Sequence, residues 1–394
     1  MRVLHLTSAI GRKAGGMGAV VTNLVPEQRS LGMQSKILCF DPPHLVDHTL
    51  RDNELRGAII YKRIIGPRQV GYSPKGESWM SGPGGDFDVV HQHGVWTASS
   101  RLTNRWRKCF GRPTIVAPLG TFQPAALARS KWKKKIALVA YERENLDSAS
   151  CIQSTSPLET EALRTFGLKN PIAVIPLGIS SEWLRQQGDA ERFRARFSIP
   201  LESRLMLFVS RLHPIKGIPL LIRSFTRIHS RGDNWHLIIA GPDERGHRHE
   251  IEMLVSQLKM GDFVRLVGPL EGQLKRDAFA AAELFVLPSH SEAFGIAIVE
   301  ALGAGLPVLT TKGTPWNELR ETDSGWWIDL SGSELDESLR SAMQKNRSEL
   351  QAMGARGKLL VSNKYTWANV AKSSEEVYFW LLNGGQPPEC VLID

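Results

Sequence analysis

Along the chain, short β-branched apolar runs alternate with stretches in which apolar residues recur every three or four positions. Residues 3–6, 37–40, 59–65, 89–90, 114–117, 151–153 and 173–175 read as strands. Between the first two, residues 17–31 have helical spacing, with Val20, Val21, Leu24 and Leu31 on the apolar side. Strands alternating with helices predict an α/β protein whose parallel sheet is covered on both faces. Residues 66–86 break the rhythm. They are rich in Gly, Pro and Ser, and predict a long loop.

The pattern restarts after Pro176-Leu177-Gly178. Residues 204–209, 236–240, 264–267, 284–287 and 307–310 read as strands, and Pro219 fits the first turn of a helix. Residues 366–382 predict one long helix. The expected division is a domain over 1–178, a second over 179–365, and a C-terminal helix and tail over 366–394 that packs back toward the first. Two such domains would gather ligands around a shared cleft at the C-terminal ends of their strands.

Composition narrows the class. The 394 residues are 42% hydrophobic and 23% charged, which excludes wholesale disorder and a disulfide miniprotein. No run of ~18 apolar residues predicts a spanning helix, and residues 1–7 turn polar too quickly for a secretory signal. Cys39, Cys109, Cys151 and Cys390 have no metal-ligand spacing and read as reduced thiols. The net charge of +9 is uneven. Residues 1–176 carry 24 Lys and Arg against 13 Asp and Glu, whereas residues 177–394 carry 25 against 27. The first half therefore calls for an anionic partner: membrane, nucleic acid or a phosphorylated acceptor.

The candidate chemistry lies in four places. Glu300 falls in a helix that is otherwise apolar, where a carboxylate needs a hydrogen-bonding partner such as a ribose or an ion pair. Glu292 sits before that helix, either as a cap or as a ligand group. The amides of Phe294, Gly295 and Ile296 would make an electropositive helix start. Arg211 and Lys216 occupy a loop after a strand, a place suited to a diphosphate, or else are two solvated cations. Residues 11–18, with Gly15 and Gly16, form a Gly-rich turn between the first strand and helix; it is neither a Walker loop nor a full dinucleotide fingerprint. His91 and His93 end a strand with no nearby Cys or Glu to complete a metal set, and Asp86-Phe87-Asp88 is read as an ordinary loop.

Glu292-Ala293-Phe294-Gly295 followed by Glu300-Ala301, with Leu287-Pro288-Ser289 before and Gly303-Ala304-Gly305-Leu306-Pro307-Val308 after, resembles the E-x7-E signature of retaining GT-B glycosyltransferases, specifically glycosyltransferase family 4. The resemblance covers essentially the whole chain. It implies two Rossmann-like domains facing each other across a cleft, and transfer of a hexose-type sugar from a nucleotide diphosphate donor with retention. It further implies Glu300 on the ribose, Arg211 and Lys216 on the diphosphate, and Glu292 with the Phe294 and Gly295 amides on the sugar. Gly15 and Gly16 would meet donor phosphate and acceptor, and His93 would face the reacting sugar. No cofactor or metal is expected beyond the nucleotide sugar itself. The chain departs from many relatives at Leu119, which stands where they carry a His facing the donor sugar.

The acceptor implied is a membrane- or lipid-linked glycan of surface polysaccharide assembly, made by a cytoplasmic protein at the membrane face. The cluster Arg129, Lys131, Lys133, Lys134 and Lys135, with Trp132, Ile136 and Val139 on one helical face, fits an anionic membrane surface, or a solvated helix whose apolar stripe packs inward. Arg101, Arg105, Arg107 and Lys108 add to that charge. A soluble small acceptor and a catalytically silent sugar-nucleotide-binding protein are the alternatives. No nucleic-acid module is present in the sequence, so nucleic acid is not expected.

Overall fold

The protein is described from a computed structural model. It covers residues 1–394 except 12–15, 41–54, 56, 67–71, 231–232, 245 and 394. The chain divides into two compact units, Met1–Gly178 with Trp367–Asp394, and Ile179–Thr366.

The strands of the first unit are β1 (Arg2–Thr7), β2 (Gln34–Cys39), β3 (Ile59–Tyr61), β4 (Val89–His93), β5 (Thr114–Ala117), β6 (Cys151–Ser154) and β7 (Ile172–Val174). Those of the second are β8 (Arg204–Val209), β9 (Trp235–Ala240), β10 (Val264–Gly268), β11 (Leu284–Leu287), β12 (Val308–Thr311) and β13 (Gly325–Ile328); β14 (Val391–Leu392) returns to the first. The helices that bear on function are α1 (Gly16–Ser30), α2 (Pro74–Ser81), α3 (Ala98–Phe110), α4 (Lys131–Ala137), α5 (Ile218–Ile228), α6 (Gly272–Ala281), α7 (Ile296–Gly303) and α8 (Trp367–Asn383).

The first sheet runs β14-β7-β6-β5-β4-β1-β2-β3, parallel except for β14 against β7. The second runs β10-β9-β8-β11-β12-β13, all parallel. Both have the doubly wound order, in which the chain winds out to one side of its first strand and then to the other. The reversal points lie between β1 and β4 and between β8 and β11. Loops leaving adjacent strands in opposite directions open a crevice there, so ligands bind at the carboxyl ends of those strands.

Alternation along β1 builds two layers. Leu4 and Leu6 join Leu38, Val90, Met80, Leu102 and Trp106 in a core under α2 and α3. Trp106 is fully buried, and its indole N–H is satisfied by the Gly84 carbonyl at 2.7 Å. On the opposite face β1 presents His5, which meets Gln28 of α1.

The loop expected over 66–86 is instead largely helical in its described part. Ser73 caps α2 by accepting from the Gly76 amide at 3.2 Å, Pro74 fills the first helical position, and residues 83–86 add a 3-10 turn. A Ser-Pro pair of this kind is a helix start rather than a loop signal. The strand expected over 59–65 is confined to Ile59–Tyr61.

Candidate active site

In the second unit the named residues gather at the β8/β11 reversal point. Arg211 follows β8 and its guanidinium pairs with Glu244. Lys216 lies in a short 3-10 turn and is 7% exposed; its ammonium pairs with Glu292, which follows β11. The two loops are laced together by backbone. His290 N donates to Ile215 O at 2.8 Å, and Ser289 Oγ donates to the same carbonyl at 3.1 Å. Gly217 makes this approach possible: its φ is +71°, and a Cβ there would lie 2.1 Å from the Pro288 carbonyl oxygen.

Glu292 N donates to Gly313 O at 2.8 Å, which fixes the carboxylate's backbone. Phe294 is buried against Trp316 and Tyr365, and the Trp316 indole donates to Phe294 O at 2.6 Å. Gly295, at φ +89°, precedes α7 with no side chain capping the helix start. Glu300 is half-buried in α7. It accepts from Lys275 of α6 at 2.5 Å, and the Trp183 indole donates to its backbone carbonyl at 3.0 Å. Sequence reasoning did not find Lys275 or Glu244. Neither belongs to a local motif, and both are brought in by packing.

Arg211 and Lys216 thus both rest on carboxylates. Charge-assisted pairs of this kind fix the direction of each cation, and either cation could exchange its carboxylate for another anion.

In the first unit His91 and His93 share the face of His5, all three 0–1% exposed. His5 Nε2–H donates to Gln28 Oε1 at 2.7 Å, so His5 Nδ1 accepts from His93 Nε2–H at 2.9 Å. Gln28 donates to Tyr378 Oη of α8 at 3.1 Å, and that hydroxyl shares a hydrogen bond with His91 Nδ1 at 2.7 Å. Burial pushes the His5 imidazolium down to about pKa 4 and both partners well below the usual range. His93 is therefore a buried, neutral member of a network rather than an open side chain. His5, missed in the sequence, completes a trio whose ring nitrogens lie within 4.8 Å of one another, the one group among the described residues with the reach to hold a metal. An ion would have to break the His5–His93 bond to bind.

Gly15 lies outside the described residues, and Gly16 is the first residue of α1. Leu119 adopts a left-handed conformation, φ +54°, and the next amide, Gly120 N, donates to the buried Glu159 at 2.5 Å. Asp88 accepts from Arg2 N at 2.7 Å, an ordinary structural contact.

The basic residues of α3 have partners within the first unit, and Arg105 and Lys108 stay about half-exposed at its surface. Arg107 donates to Thr114 Oγ1 at 2.6 Å, and burial pushes its guanidinium down to about pKa 10. Arg105 and Lys108 pair with Glu77 and Glu144, and Arg101 lies over the rings of Tyr72 and Tyr141. The α4 region differs. Trp132, Ile136 and Val139 are 65%, 60% and 90% exposed, so its apolar stripe faces outward.

Residues 15–178 match the family described as "Glycosyl transferase 4-like domain", and residues 189–359 match "Glycosyl transferases group 1". The chain belongs to glycosyltransferase family 4. Among curated relatives, the D-inositol 3-phosphate glycosyltransferase of Streptomyces avermitilis is 28% identical over 60% of this chain and 53% of its own length. The enzyme of that name from Nocardioides sp. is 25% identical over 75% and 68%. This family 4 chain thus spans between about half and about two thirds of the length of these relatives. Among solved structures, sucrose-phosphate synthase from Thermosynechococcus elongatus superposes with a TM-score of 0.76 at 20% identity, over 98% of this chain and 100% of that one. Anabaena HepE in complex with UDP and glucose superposes at 0.76 and 18% identity, over 95% and 98%. The fold is GT-B, with two Rossmann-like units. Among the described residues no helix is long and apolar enough to cross a membrane.

Proposed function

We propose that this chain transfers a hexose-type sugar from a nucleotide diphosphate sugar, with retention and without a metal, to a lipid-linked glycan acceptor in surface polysaccharide assembly. The observation that carries the donor half is the meeting of Arg211, Lys216, Glu292 and the α7 start at the β8/β11 reversal point. Arg211 and Lys216 hold the diphosphate and stabilise its charge as the bond to the sugar breaks. Glu292 and the amides at Phe294 and Gly295 hold the sugar hydroxyls, and Glu300 takes the ribose. HepE, whose structures hold UDP and glucose or UDP-glucose, supports a uridine donor.

The first unit takes the acceptor. The outward Trp132, Ile136 and Val139, flanked by Lys131 and Lys135, suit the headgroup region of an anionic membrane. The names of the curated relatives favour a second reading, a soluble phosphorylated acceptor.

A thermal-shift panel of nucleotide sugars on wild type and Glu300→Ala tests the donor half. A donor that binds the native state raises the melting temperature by mass action. One donor class is expected to shift wild type, with the shift lost or reduced in Glu300→Ala. No shift by any nucleotide sugar or nucleoside diphosphate at millimolar concentration would overturn the reading.

A further inference from the structure

Glu300 and Lys275 form an ion pair withdrawn from most of the solvent, with side chains 15% and 23% exposed. The neighbours of Glu300 along α7 are apolar, and Ile298, Val299, Ala301 and Leu302 are all buried. Among the described residues, Lys275 is the one hydrogen-bond partner of the Glu300 carboxylate. A pair in this setting loses hydration on both sides and is weak evidence for stability as such. Nor does α6 itself give a reason for a cation there. Lys275 lies in the first turn of α6, where unpaired backbone N–H groups make a positive pole that disfavours a cation, and no acidic residue offsets it in that turn.

A third element fixes the geometry of the pair. Trp183 belongs to the short helix Ser181–Arg185. Its indole N–H donates to the Glu300 carbonyl at 3.0 Å, and the Lys275 ammonium lies 5.6 Å from the centre of its ring. One aromatic side chain therefore holds both the backbone of Glu300 and the ammonium facing its carboxylate. The place is also a ligand edge. α6 follows β10 and α7 follows β11 in an all-parallel sheet, so both helices start at its carboxyl edge. With Lys275 on Oε1, the carboxylate keeps Oε2 and part of Oε1 free to accept, whereas an ammonium has nothing with which to accept.

We infer that Lys275 is a positioning residue for the donor's ribose: it acts through Glu300, holding that carboxylate aimed to accept from a ribose hydroxyl. The inference rests on the donor reading above, in which Glu300 takes the ribose. In this arrangement Lys275 meets Glu300 and not the nucleotide. Its effect is therefore confined to the hydroxyl. A site built to hydrogen-bond a hydroxyl rejects the analogue that lacks it, because its polar group is then left unpaired, and that rejection weakens once the carboxylate is no longer aimed.

Calorimetry on the full chain tests it. UDP, ADP and GDP are titrated into wild type, and each that binds is compared with its 2′-deoxy and 3′-deoxy forms. Loss of a recognised hydroxyl should weaken wild-type binding at least about tenfold, the scale of a hydrogen bond to a charged group. In Lys275→Met the ribonucleotide should lose most of that factor, while the matching deoxy form binds as it does to wild type. Lys275→Gln is measured beside it as a second neutral variant. Lys275→Arg should keep the discrimination. In a Glu300→Ala background Lys275→Met should change nothing further, because the lysine acts through that carboxylate. Equal weakening of the ribose and deoxy forms overturns the inference, since a direct contact with the diphosphate or a merely structural role gives that result. Discrimination unchanged in both neutral variants overturns it as well. A wild type that binds a nucleoside diphosphate with no preference for ribose takes Glu300 off the ribose and the inference with it. A wild type that binds none of the three strikes the donor reading as a whole.

Discussion

Acidification should destabilise the first unit through its buried histidines. His5 is 0% exposed, and its folded pKa of about 4 lies below the ordinary 6.5. The unfolded chain therefore binds a proton that the folded chain refuses. Stability is complete above pH 6.5 and is lost as pH falls through that value toward 4. From pH 7.5 to pH 5 this one group costs about 2 kcal/mol, approaching about 3 kcal/mol below pH 4. His91 and His93, also lowered by burial, act in the same direction. The buried carboxyls of Glu142 and Glu159, raised by desolvation, act in the opposite one, because the folded state takes their protons first. A difference measurement removes them. Urea unfolding of wild type and His5→Asn is compared at pH 7.5 and 5.0, with the first unit's transition assigned by hydrogen exchange of β1 and β4. The pH-dependent loss should be smaller by about 2 kcal/mol in the variant, whose amide does not titrate. Equal losses in the two proteins would refute the reasoning. So would an imidazole of this trio titrating at pH 6 or above in the folded chain, read from its nitrogen shifts by NMR.

Two further outcomes follow from the second unit. Lys216→Met leaves the largely buried Glu292 without its cation, so melting should show a loss of about 3 kcal/mol. Lys216→Met/Glu292→Leu should recover most of it, and simple additivity in that cycle would count against a desolvated pair. Gly217→Ala forces a Cβ to within 2.1 Å of the Pro288 carbonyl oxygen at φ +71°. It should cost at least about 2 kcal/mol and weaken UDP binding in calorimetry, because the Lys216 and Glu292 loops must part. Unchanged stability would mean that this approach does not hold the loops together.

The alternation of β-branched runs with helical spacing was enough to read two doubly wound halves, because covering both faces of a parallel sheet imposes that pattern on the local sequence. The stretch from Glu292 to Glu300 was legible for the same reason: its residues sit on one loop and one helix, and their spacing is local. The loop expected over 66–86 became helix where Ser73-Pro74 outweighed the glycines. The charge of the first half was visible, but its use was not. Packing sets Arg107 on Thr114, pairs Arg105 and Lys108 with Glu77 and Glu144 at the surface, and leaves Trp132, Ile136 and Val139 facing out. His5 and His93, 88 residues apart, meet because β1 pairs with β4, and Lys275 reaches Glu300 because α6 packs near α7. Sequence by itself determined the periodic elements and the motifs contained within one loop or helix, since those depend on neighbours along the chain. Only the tertiary structure decided which carboxylate holds each cation and which histidines are buried and neutral, since those depend on strand order and on what is desolvated against what.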